Sequence, residues 1–111
     1  MLSERENAMY KVVTCATLSE KEAEKIADLL LDNNLAACVQ IINIKSRFKW
    51  QGLREKDDEY LLVIKTRSDK YPAIQELIRR NHSYRVPEII GFDVTDIFPP
   101  YADWINESVE S

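Results

Sequence analysis

An α+β sandwich is the fold class this sequence predicts, and three observations predict it. Apolar residues switch between a two-residue and a helical period along the chain. The segments so marked run strand, helix, strand, strand, helix, strand. The second and third strands meet at Gln51-Gly52 to form one overlong hairpin.

The order opens on residues 10–17, YKVVTCAT, a run of β-formers that reads as a strand. Ser19 then offers an N-cap with Glu22 three residues on, the capping-box pattern in which each side chain satisfies an orphan amide. Ala23, Ile26, Ala27 and Leu30 recur at helical spacing, so residues 20–33 are predicted as an amphipathic helix. Asn33-Asn34 stops it, since asparagine tolerates the left-handed conformation.

Residues 35–44, LAACVQIINI, form the next strand, which continues in a more polar style through Ser46, Phe48 and Trp50. The returning strand ends in YLLVIKT, residues 60–66. The tip from Trp50 to Asp58 extends beyond a compact core. A two-stranded ribbon is poorly stable alone in water, so this length predicts that the ribbon packs on another subunit.

Pro72 fits the first turn of a second helix, where its missing amide costs nothing. Ile74, Leu77 and Ile78 supply its buried face, and Arg79-Arg80 complement its carbonyl-rich end. Residues 86–94 make the fourth strand, and Pro99-Pro100 opens a short closing helix with Tyr101, Trp104 and Ile105. This order is the split-βαβ, ferredoxin-like pattern. The first and fourth strands are expected at opposite edges of the sheet, which leaves a Cys15–His82 pairing within one subunit unassured.

The chain has 111 residues, enough for one domain, placed at 10–111 behind a flexible lead of residues 1–9 in which Met9 offers an alternative start. A hydrophobic fraction of 45% and a charged fraction of 31% argue against disorder. The net charge is −4, with bases and acids interleaved, which argues against a nucleic-acid partner apart from a local patch at Arg79, Arg80 and Arg85. Two cysteines are too few for a disulfide scaffold and point to a reduced, cytoplasmic setting. No apolar run has the length of a membrane span, and the polar MLSERENAM start does not read as a secretory signal.

His82 is the only histidine. It reads equally as a helix-end residue and as a ligand contact, since imidazole is the commonest nitrogen ligand for zinc and copper. Cys15 lies where a strand-to-helix loop can present it, although a lone cysteine is more often a small buried hydrophobe. Cys38, among Leu35, Ala36, Ala37 and Val39, reads as core. Trp50, Tyr60 and Tyr84 read as structural aromatics. Glu59, Lys65 and Glu88 stand near strand ends, as solvated charge or as the lining of a polar pocket. No nucleophile elbow, Gly-rich phosphate loop or HExxH helix is present, so the protein is not expected to be an enzyme.

Five pieces taken together resemble one family. They are Leu35-Ala36-Ala37-Cys38-Val39, the run Phe48 to Gly52, Glu59 to Thr66, His82 to Ile89, and Tyr101-x-x-Trp104. In this order and spacing they resemble the CutA divalent-cation tolerance proteins. Two departures stand out: Ser83 and Arg85 replace the proline and the acid of the family's His-Pro-Tyr-Glu motif, and Asn43-Ile44-Lys45 stands where a Pro-Gly pair is common. Ser83 is expected to loosen the placement of His82.

The resemblance implies a ferredoxin-like subunit in a tight homotrimer, similar in assembly to the PII signalling proteins. It implies intersubunit clefts that gather Trp50, Glu59, Lys65, His82, Tyr84 and Glu88. It also implies copper or another divalent cation at Cys15 and His82, with Asn81 where some members carry a further histidine, and no cofactor needed for folding. The alternative is a PII-like signalling trimer binding a small anion with no metal role, favoured by Arg79, Lys65 and Arg85.

Overall fold

The computed structural model describes residues 8–110. Of the predicted lead, residues 1–7 fall outside the described residues. Strand β1 spans Tyr10–Thr17, helix α1 Glu20–Asp32, β2 Cys38–Trp50, β3 Leu53–Arg67, α2 Tyr71–Asn81, β4 Ile89–Val94 and α3 Pro99–Val109, with a single 3-10 turn at Ser68–Lys70 before α2. Every predicted element is present. The fold is the ferredoxin-like α+β sandwich, a four-stranded antiparallel sheet with three helices.

Sheet order is β2-β3-β1-β4. This corrects the expectation that the first and fourth strands lie at opposite edges, because β1 pairs with β4 directly, Cys15 opposite Ile89. The reason is topological. The crossover through α1 leaves a gap one strand wide between β1 and β2, the hairpin returns β3 into it, and the crossover through α2 carries β4 to the other side of β1.

Two boundaries moved. The predicted strand at 35–44 begins only at Cys38, since Leu35 still closes the helix end through its amide to Leu30 O (2.9 Å) while Asn34 sits at φ 56. The predicted strand at 86–94 begins at Ile89, after Pro87, which has no amide to give a ladder.

Because side chains alternate across a strand, Val13 and Cys15 face the same side as Leu62 and Ile64. There they bury against Ala23, Ile26, Ala27 and Leu30 of α1 and Ile74 and Ile78 of α2. A fully buried Leu or Ile contributes on the order of 2 kcal/mol. This seam, more than intrinsic propensity, holds the helices.

The opposite face of the sheet is covered only in part. Helix α3 lies over it, burying Ala102, Ile105 and Val109, and Asn106 Nδ2 donates to the Tyr10 hydroxyl (2.9 Å). Beyond α3 the face is open: Ile42 is 48%, Ile90 46% and Phe92 52% exposed. Cys38 belongs to this face, opposite Lys65, and is half-buried rather than part of the predicted core. At the far end of the hairpin Gln51 and Gly52 adopt φ 50 and φ 79, the pair of positive values that a two-residue turn matched to strand twist requires. Among the described residues no helix is long and apolar enough to cross a membrane.

Candidate functional site

The central position of β1 brings its last residues beneath the segment that follows α2. His82 is the residue at which α2 ends, and its backbone has already turned extended. Its Nδ1 accepts the Tyr84 amide at 2.9 Å, so Nε2 carries the ring proton and donates to the Ala16 carbonyl at 2.7 Å. Both ring nitrogens of the neutral imidazole are thereby used. The Cys15 thiol points at the same carbonyl, 4.0 Å away. The two residues singled out as metal ligands therefore do come together within one subunit.

Their chemistry is that of a closed joint. Cys15 is fully buried, and burial, joined by the nearby charges of Glu88, Glu22 and Glu59, pushes its thiol up to about 12. At neutral pH sulfur is held as the thiol, whereas the thiolate is the metal-binding form.

Around this joint stand three carboxylates. Glu59, on β3, is 8% exposed, and its Oε2 accepts the Tyr84 hydroxyl at 2.8 Å. Burial, then the hydrogen bond to Glu59, raises the Tyr84 phenol above its ordinary range. The Tyr84 ring lies 4.8 Å from that of His82. Glu88, just before β4, accepts the Thr14 hydroxyl at 3.1 Å.

Glu22 is the third, and sequence reasoning gave it a different role. The Ser19 hydroxyl does accept the Glu22 amide (3.1 Å), so half of the predicted capping box forms. The Glu22 carboxylate does not return to Ser19. It accepts the amide of Ser83 at 2.8 Å and the Ser83 hydroxyl at 3.1 Å. Ser83 thus anchors the segment after His82, the reverse of the loosening expected of it, because a proline there would have neither donor. The pairing spans 61 positions, which a local motif cannot signal.

The remaining predicted cleft residues do not join within one subunit. Trp50 is 61% exposed at the hairpin tip, six residues beyond Ile44, the partner of Glu59, or about 20 Å at the rise of a strand. Lys65 lies six residues from Glu59 in the other direction along β3, again about 20 Å away. Of the basic patch, Arg79 and Arg80 are both engaged by Glu76 (2.7 and 3.0 Å), and Arg85 is exposed.

No group of three or more His, Cys, Asp or Glu side chains is arranged to hold a metal ion among the described residues. With its histidine lone pair occupied and its thiol protonated, the Cys15–His82 pair does not fit a ready-made copper site within one subunit.

Comparison with known proteins is consistent throughout. The CutA1 divalent ion tolerance protein family matches residues 11–108. The divalent-cation tolerance protein CutA of Archaeoglobus fulgidus is 38% identical over 102 residues, 92% of this chain and 100% of that protein. Mouse protein CutA is 42% identical over 100 residues, 89% of this chain, which spans 55% of the mouse protein. Among solved structures, the one described as the periplasmic divalent cation tolerance protein CutA from Archaeoglobus fulgidus superposes with a TM-score of 0.90, at 38% identity over 92% of this chain and 100% of that one.

Proposed function

This chain belongs to the CutA1 divalent ion tolerance protein family, and on that premise we propose that it serves divalent-cation tolerance as a homotrimer whose clefts receive the ion. The observation that carries the cation reading is the set of Glu22, Glu59 and Glu88, whose charges all bear on the Cys15 thiol. None of the three is ion-paired to a lysine or arginine among the described residues. Unneutralised carboxylates gathered near one another raise the local concentration of a divalent cation.

Two features support the homotrimer. The open sheet face with Ile42, Ile90 and Phe92 is apolar surface of the kind that obligate assemblies cover. The ribbon also reaches well past its own core, so a neighbouring copy can supply Trp50 to a cleft that one subunit leaves incomplete.

Copper is the ion to test first. We assign its first contact to the carboxylates, because Cys15 and His82 become ligands only once the thiol ionises and the imidazole turns off Ala16. We propose no reaction, since the family is described by tolerance of an ion. We place the protein in the cytoplasm, where Cys15 and Cys38 stay reduced, and cell fractionation tests that placement. The small-anion alternative loses one of its three donors, Arg79, to Glu76.

The deciding experiment is calorimetric titration with Cu(II), then anaerobic Cu(I), with oligomeric state followed by sedimentation. Saturable Cu(II) binding that falls in Glu59→Gln with Glu88→Gln, and less in Cys15→Ser with His82→Ala, is the expected result. Binding indifferent to the carboxylates overturns the cleft assignment.

A further inference from the structure

We infer that one face of the β2–β3 ribbon is a binding surface for an oligophosphate chain. The register of the hairpin places Arg47 directly opposite Lys56, and Lys49 directly opposite Arg54. By alternation all four side chains project from the same face of the ribbon, the face opposite to Phe48 and Trp50. All four are exposed, and none is ion-paired among the described residues.

This arrangement works against the hairpin. Like charges directly opposite on antiparallel strands are destabilising, and here two such pairs follow one another at the least supported end of the sheet. An isolated ribbon has little burial to offset that repulsion. A polyvalent anion laid along the block relieves it.

The geometry also indicates what kind of anion. The cations form a two-by-two block, about 5 Å across the strands and about 7 Å along them. A chain of three phosphates is long enough to reach from one cation pair to the next, which a single carboxylate is not. Arginine adds planar, two-pronged donors that suit phosphate oxygens. An open groove of about 840 Å³ runs along this stretch, lined by Arg47, Phe48, Lys49, Arg54, Glu55 and Lys56. Glu55 is the only acid in that lining, and it projects with Phe48 from the other face.

The surface is separate from the carboxylate cleft in charge and in place, so this inference goes beyond the cation reading. It is tested by titrating the full chain with inorganic tripolyphosphate in metal-free buffer, at low and at moderate salt. Saturable binding that weakens steeply with salt is expected, as is at least a tenfold loss of affinity in Lys49→Glu with Lys56→Glu. The same variant turns both like-charge pairs into opposite-charge pairs, so its melting temperature should hold or rise, which separates lost binding from lost folding. The inference is overturned if the wild type shows no saturable binding at low salt, or if the variant binds within twofold of it. Binding of single-stranded DNA without binding of tripolyphosphate overturns it too. Because no metal is present, these outcomes are independent of the copper titration.

Discussion

Glu22 and Ser83 are joined by two hydrogen bonds, one from the Ser83 amide and one from its hydroxyl, across the gap between the first turn of α1 and the end of α2. The clamp fixes the backbone immediately after His82, and so the direction from which the imidazole meets Ala16. Glu22→Ala should cost about 1–3 kcal/mol, since hydrogen bonds to a charged group are worth more than neutral ones. Ser83→Ala, which keeps the amide, should cost less. Thermal unfolding of both variants checks the order, and equal losses would mean that the hydroxyl carries the clamp.

Cys15 makes stability depend on alkaline pH. Its folded-state value is raised, to about 12 from 9.0, so the stabilisation is fully present below pH 9.0 and is lost as pH rises towards 12. Denaturant midpoints of wild type should fall through that window faster than those of Cys15→Ala. The native thiol should also resist alkylation at pH 8, because it is fully buried within the subunit. Rapid modification of Cys15 under native conditions would show that the joint opens readily.

Tyr84 is a further pH marker. The chain has five tyrosines, and the one bound to Glu59 should ionise after the others in a spectrophotometric titration, because burial and the carboxylate both hold its phenol neutral. Tyr84→Phe leaves the buried Glu59 carboxylate without that donor and should cost about 1–3 kcal/mol. If the late-titrating tyrosine persists in this variant, the assignment is wrong.

Trp50 separates subunit from assembly. Its 61% exposure in the subunit means that Trp50→Ala should barely alter the stability of a monomer. Truncation of an aromatic fully buried at an interface costs about 3–5 kcal/mol. Sedimentation over a dilution series should therefore show the variant dissociating at higher concentration than wild type. Unchanged dissociation would place the ribbon tip outside any contact.

The hairpin turn carries a residual strain that can be relieved. Gln51 holds a positive φ with an ordinary side chain, and asparagine tolerates that region better. Gln51→Asn should raise stability by up to about 1 kcal/mol, read as a higher melting temperature.

Much of the fold was legible because its signals are local: the Ser19 cap, the apolar stripe of α1, Pro72 in the first turn of α2 and the turn at Gln51-Gly52. What sequence reasoning missed is long-range. The capping-box pattern at Ser19 and Glu22 was correct for the amide, yet the carboxylate found a better partner that only the finished fold delivers. The place of β1 beside β4 depends on two crossovers, and the exposure of Cys38 on strand parity across three strands. Of the residues assigned to the metal or to the cleft, Cys15, Glu59, His82, Tyr84 and Glu88 lie near one another in one subunit, whereas Trp50 and Lys65 lie on either side along the strands.

The ribbon's two faces differ by nothing more than odd and even position. Arg47, Lys49, Arg54 and Lys56 share one parity class across the Gln51-Gly52 turn, and Phe48, Trp50 and Leu53 share the other. A single residue inserted into β3 between Gly52 and Arg54 would exchange the faces of that strand while leaving β2 untouched. Cations would then share a side with aromatics, and neither surface would survive intact. Length in this hairpin is therefore inherited in steps of two, and natural variation in its reach should come as paired insertions, one in each strand.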